Sequence, residues 1–268
     1  MRKPDLGTIV GLLLAFGLIL LGNHLEGGHL SSVIQPTAAL IVFGGTFGAT
    51  MVGFPLDEFI RAMKALGLFF FTKAQDPAKV LAEIVRYAQI ARREGIIALE
   101  EHVQKAEDPF FKKAFLMVVD GIDSKTIADT LELEIHHAEE KGELPAKVFE
   151  AAGGYCPTVG ILGAVLGLIH VMSNLSNIDA VGAGISVAFV ATIYGVGAAN
   201  IVCLPAANKI KMKNKVEMQL YEMIMLGAIA IQQGENPKLI EQKLAVFAHG
   251  HGDKKGHGAE AGKAKAAA

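Results

Sequence analysis

Four stretches of this chain, residues 6–22, 30–54, 155–175 and 181–205, contain no Asp, Glu, Lys or Arg. A helix needs about 17 to 25 apolar residues to cross a hydrocarbon core about 30 Å thick. Each stretch is long enough. Hydrophobic residues make up 51% of the 268, charged ones only 19%, and the mean hydropathy is +0.39, a balance that leaves too little polar surface for a soluble domain. A net charge of -2 gives no field that would gather nucleic acid. The first stretch follows Arg2 and Lys3 and has the look of a signal peptide. No small-x-small cleavage site follows it, however, and a second span comes almost at once, so it is expected to be retained.

Orientation follows from the basic residues, because Lys and Arg near spans are held on the cytoplasmic side. The short connections 23–29 and 176–180 have none, whereas thirteen lie in 55–154 and ten follow Pro205. Both termini and the long middle segment are therefore expected in the cytoplasm. Cys156 and Cys203 fall inside apolar stretches and read as small packed hydrophobes, not as a disulfide framework.

The middle segment has helical signals. Asp76-Pro77 and Asp108-Pro109 each put a capping residue before a proline at the first helical position. The first opens a helix carrying Val80, Leu81, Ile84, Val85, Ala88 and Ile90, and the second a shorter helix ending near Gly121. Ser124 starts a helix that Gly142 is expected to close, and Pro145 begins another that runs into the third span. After Pro205 come Lys209, Lys211, Lys213 and Lys215, placed for the headgroup surface, then a helix broken by GENP at 234–237 and a last helix reaching Phe247. The remainder is low-complexity; a solvated tail is expected in preference to a metal site built from His249, His251 and His257. The fold class is all-α: a polytopic membrane protein with four transmembrane helices and a helical cytoplasmic domain.

Several features admit two readings each. Small residues one turn apart, Gly44/Gly48, Gly45/Ala49, Gly163/Gly167 and Gly195/Ala199, allow close helix approach either within the chain or with a partner. Thr158, Ser173, Asn174, Ser186, Thr192, Tyr194 and Asn200 are polar groups at depth, and a lone membrane hydroxyl usually bonds back to its own helix. His170 is expected to be neutral and packed or hydrogen-bonded, with proton carriage the alternative. Pro157 and Pro205 serve either as helix starts and stops or as a hinge. Arg92 and Glu100, in ARREGIIALEE, lie about 12 Å apart if one helix runs through them, and form either a solvated face or two contact points. The spans supply no acid, although intramembrane ion paths usually need an ionisable group at depth.

RREGIIALE at 92–100, PTVGILGAVLGLIHVM at 157–172, VATIYG at 190–195 and LPAANKIK at 204–211, set among four spans with a large loop after the second, resemble the MotA/PomA family of flagellar motor stator subunits over residues 1–248. That resemblance implies an ion-transporting subunit of the bacterial inner membrane, not an enzyme, with no cofactor. By resemblance Arg92 and Glu100 contact the rotor protein FliG, Pro157 and Pro205 take part in conformational change, and Thr192, with Thr158, faces the ion path. The family arrangement is five such subunits around two MotB-type chains, each bringing one span with a critical aspartate; that partner would provide the missing acid. The implied division is a hairpin at 1–54, a torque domain at 55–154, an ion-path hairpin at 155–205, cytoplasmic helices at 206–248 and a disordered tail at 249–268. Sodium-type relatives carry consecutive threonines where this chain has Ala191-Thr192, which favours H+ over Na+ as coupling ion. The alternatives are an ExbB/TolQ-type energiser, whose three spans and outside N-terminus fit less well, and a non-transporting scaffold.

Overall fold

A computed structural model describes residues 3–72 and 76–249. Arg2 and the tail from 250, with His251 and His257, lie outside the described residues. The Asp5 carboxylate accepts the Thr8 amide at 3.2 Å and opens α1, Leu6–Leu25. A 3₁₀ turn, Leu30–Val33, leads to Pro36 at the first position of α2, Pro36–Ala39. A π turn, Leu40–Gly44, joins α2 to α3, Gly45–Gly53, and α4, Leu56–Phe70, follows. The two-residue strands β1, Lys3–Pro4, and β2, Phe71–Thr72, pair antiparallel, Lys3 opposite Thr72.

Asp76 and Asp108 cap α5, Pro77–Glu94, and α7, Pro109–Val119, with α6, Glu100–Gln104, between them. Asp123 accepts the amides of Lys125 and Thr126 and starts α8, Ser124–Ser173, an unbroken helix of 50 residues. α9, Ile178–Gly197, passes through a second π turn, Ala198–Cys203, into α10, Leu204–Gln232. Gly234, at φ +71, ends α10, and α11 is Pro237–His249.

Two expectations fail here. Gly142 does not close a helix and Pro145 does not open one; both lie inside α8. The side chain of Asn214 occupies the space a Cβ on Gly142 would need, so Gly142 serves a close approach. Proline removes one rung of the ladder, but the turn after Pro145 carries Ala146, Val148 and Phe149, all buried against Ala206, Ala207 and Ile210, and this packing holds the helix together.

The chain divides into two compact units, Met1–Lys73 with Glu140–Asn214, and Ala74–Glu139 with Lys215–Ala268. Four helical stretches are long and apolar enough to cross a membrane. In the first unit many large apolar side chains point outward, Leu13 68% exposed, Leu40 77% and Phe189 69%, surface that water would not tolerate. In the second unit most of the apolar bulk is gathered inside. Ile84, Tyr87, Leu99, Phe115, Ile127, Leu131, Met223 and Ile240 form a conventional core.

Candidate functional site

The third and fourth spans meet through small residues on both sides. A methyl on Gly160 would lie 2.9 Å from the Ala191 carbonyl oxygen, and one on Gly167 would lie 2.8 Å from that of Gly184. One on Gly195 would lie 2.5 Å from the Cys156 carbonyl oxygen. α8 and α9 thus touch backbone to backbone along several turns, where dispersion rather than hydrophobic burial provides attraction in lipid. Gly163 contacts the Ala191 methyl and Gly45 faces Val159, whereas Gly44 and Gly48 have nothing nearby among the described residues. Packing within the chain therefore accounts for Gly45, Gly163, Gly167 and Gly195. Gly160, Gly184, Ala188 and Ala191 complete this contact; isolated pairs one turn apart do not single them out, whereas the repeat 184, 188, 191, 195 along the fourth span does.

Thr192 lies beside Ala191 and is half-buried; its hydroxyl donates to the Ala188 carbonyl at 3.1 Å. Thr158 is exposed and donates to Tyr155 O at 2.8 Å. Both hydroxyls are satisfied by their own helices and keep lone pairs free as acceptors. Ser173 and Asn200 bond back in the same way. Tyr194 differs. Its hydroxyl donates to Val33 O at 2.7 Å and accepts the Gln35 amide at 3.2 Å, and Gln35 in turn donates to Ser186 Oγ. These contacts satisfy the non-helical backbone before α2, which could not remain unpaired in a membrane. His170 is neither packed nor hydrogen-bonded through its ring among the described residues; it is exposed on α8.

Neither proline starts or stops a helix alone. Pro157 lies inside α8, and Pro205 is the second residue of α10, directly after the π turn of the fourth span. A proline ring clashes with the carbonyl four residues earlier, and a widened turn relieves that clash. A methyl on Gly153 would meet Leu204 and Cys203, whereas the Cys156 carbonyl faces Gly195, so Pro205 lies level with Gly153 and Pro157 with Gly195, at different heights of the paired helices. Both cysteines are free.

At the surface of the second unit, Arg92 and Glu100 do not share a helix. α5 ends at Glu94, Gly95 takes φ +91 and ψ 162, a 3₁₀ turn Ile96–Leu99 follows, and Glu100 begins α6. The expected continuous helix fails because Gly95 adopts a backbone conformation that other residues avoid. Leu99 and Val103, both 0% exposed, anchor this corner, and the buried Tyr87 hydroxyl donates to His102 O at 2.9 Å. Burial holds the Tyr87 phenol above its ordinary pKa. Arg92 and Glu100 are thus displayed, both exposed, by a fixed bend.

Residues 102–223 match the MotA/TolQ/ExbB proton channel family, and residues 9–95 match the motility protein A N-terminal family. Motility protein A of Bacillus subtilis (strain 168) is 36% identical over 91% of this chain and 90% of its own length. The chain belongs to the motility protein A family. Chemotaxis protein PomA of Vibrio alginolyticus is 33% identical over 91% of this chain and 95% of its own length. A solved structure of C. jejuni MotAB superposes with a TM-score of 0.88 at 33% identity, covering 93% of this chain and 98% of that one. In this chain the α8–α9 contact falls in the channel-family match, and Arg92 falls in the N-terminal match. With four helical stretches long and apolar enough to span, the chain is a multi-pass membrane protein.

Proposed function

We propose that this protein is a stator subunit of the bacterial flagellar motor, seated in the inner membrane with both termini cytoplasmic, and that it couples ion flow to rotation. The single observation carrying the mechanism is that α8 and α9 pair closely with hydroxyls at their faces and no acid in the span segments 155–175 and 181–205. The carboxylate must then come from a second chain, a MotB-type protein whose one span carries an aspartate; five copies of this chain surround two of the partner. Thr158 and Thr192 offer acceptor oxygens to the ion. Protonating the partner aspartate removes a desolvation cost of several kcal/mol, comparable with the ~5.5 kcal/mol that carries a two-state equilibrium from 1:99 to 99:1. Pro157 and the π turn before Pro205 are where the helices yield. Arg92 and Glu100 transmit the step to FliG.

The functional division is hairpins at 1–54 and 155–205, a torque domain at 55–154 and further cytoplasmic helices at 206–248. The coupling ion is H+, because Ala191 leaves one hydroxyl fewer for a dehydrated Na+ than a threonine pair would. In cells lacking other stators, changing the partner's membrane aspartate to asparagine is expected to abolish swimming while the complex still purifies. Swimming retained in that variant overturns the mechanism.

A further inference from the structure

A groove of about 280 Å³ lies between the C-terminal part of α5 and the start of α11, lined by Val85, Gln89, Arg92, Arg93, Lys238 and Glu241, with Pro237 buried beneath. The two helices are held rigidly. Ile240 at 0% exposure and Leu244 at 3% insert into the same core as Ile84, Tyr87 and Ala88. Arg92, Arg93 and Lys238 are exposed and have no ion-pair partner among the described residues. Elsewhere in the same unit Lys105 pairs with Glu101, Lys113 with Glu134 and Lys243 with Glu235. Three cations converging unpaired repel one another, and an incoming anionic surface relieves that repulsion. Glu241, the one acid in the lining, supplies a point of opposite sign that fixes register.

We propose that this groove is a second face of the rotor contact, with Lys238 and Glu241 as contact residues for a carboxylate-bearing segment of the rotor protein. The proposal rests on the rotor-contact reading of Arg92 and extends it from α5 to α11. The apolar floor of Val85 and Pro237 suits a protein segment, which brings side-chain methylenes along with its charges.

The test uses full-length stator complexes in cells lacking other stators. Lys238→Glu, Glu241→Lys and Arg92→Glu are each compared for swimming speed and membrane abundance, with the wild-type rotor and with rotors whose surface acids are reversed to lysine. Lys238→Glu places an acid in the first turn of α11, which favours that helix, so slow swimming would not come from unfolding. The expected result is a speed at least about threefold lower for Lys238→Glu at normal abundance, recovered by a reversed rotor. Wild-type speed for both Lys238→Glu and Glu241→Lys, with Arg92→Glu immotile, overturns the groove and leaves the Arg92 contact standing. Wild-type speed for all three overturns both. Slowing that no reversed rotor recovers also overturns the groove.

Discussion

The Cys156 carbonyl oxygen would lie 2.5 Å from a methyl on Gly195, closer than a Cβ ever approaches such an atom. Both partners in that contact are backbone, and backbone on two packed helices cannot turn aside as a side chain can. Gly195→Ala is expected to destabilise the complex by about 1 to 3 kcal/mol. Gly48→Ala, at a position with nothing within 4 Å, is expected to be nearly neutral. Thermal unfolding of the purified complex, read by loss of assembled stator, distinguishes the two.

Pro205 follows six π-helical residues, Ala198–Cys203. Restoring an amide there with Pro205→Ala allows ordinary helical bonding through the fourth span, and Pro157→Ala does the same for the third. Each variant is expected to keep its membrane abundance and lose most of its swimming. A variant that swims at wild-type speed removes that proline from the hinge.

Gly95 holds φ +91 and ψ 162 between Arg92 and Glu100. A side chain there costs about 1 to 3 kcal/mol or forces a different bend. Gly95→Ala is expected to slow swimming without disturbing the membrane spans. Equal torque on tethered cells for variant and wild type would show that the corner's shape is unimportant.

The Thr126 hydroxyl and amide hold the Asp123 carboxyl below its ordinary value of 3.8. A folded pKa lowered in this way gives stability that is present above the unfolded value and lost as pH falls through the folded one. The start of α8 is therefore expected to weaken as pH drops below about 4, and Asp123→Asn, which still caps the helix, should flatten that dependence. Thermal midpoints of the solubilised protein over an acid series check it.

Thr192 is the hydroxyl in contact with the close-packed face of α9. Thr192→Ala leaves the Ala188 carbonyl with its helical bond and removes one acceptor from the proposed path, so speed should fall while assembly persists. Swimming speed at fixed pH is expected to be flat against external sodium; a steep rise with sodium overturns proton coupling.

Much of this architecture was readable beforehand, because a membrane-length run without charge, a capping aspartate before proline and an uneven spread of lysines are local signals. Asp76, Asp108 and the four spans needed no knowledge of what they pack against. The interruptions were not local. Gly142 and Pro145 look like a stop and a start, yet burial of Ala146, Val148 and Phe149 against α10 carries α8 through both. The spacing of Arg92 and Glu100 suited a continuous helix, yet Gly95 at φ +91, with Leu99, Val103 and the bond from Tyr87 to His102, makes a bend there.

The helix pair at 155–205 shows where that boundary lies. The sequence by itself determined that it is long and apolar enough to cross a membrane and that it carries no acid, since composition carries that information. Only the tertiary structure decided which small residues meet, that Thr158 and Thr192 bond to their own helices, that His170 is exposed, and that Pro205 lies level with Gly153 while Pro157 lies level with Gly195. Contacts between distant segments depend on rotation about each helix axis, and packing, not pattern, sets that rotation.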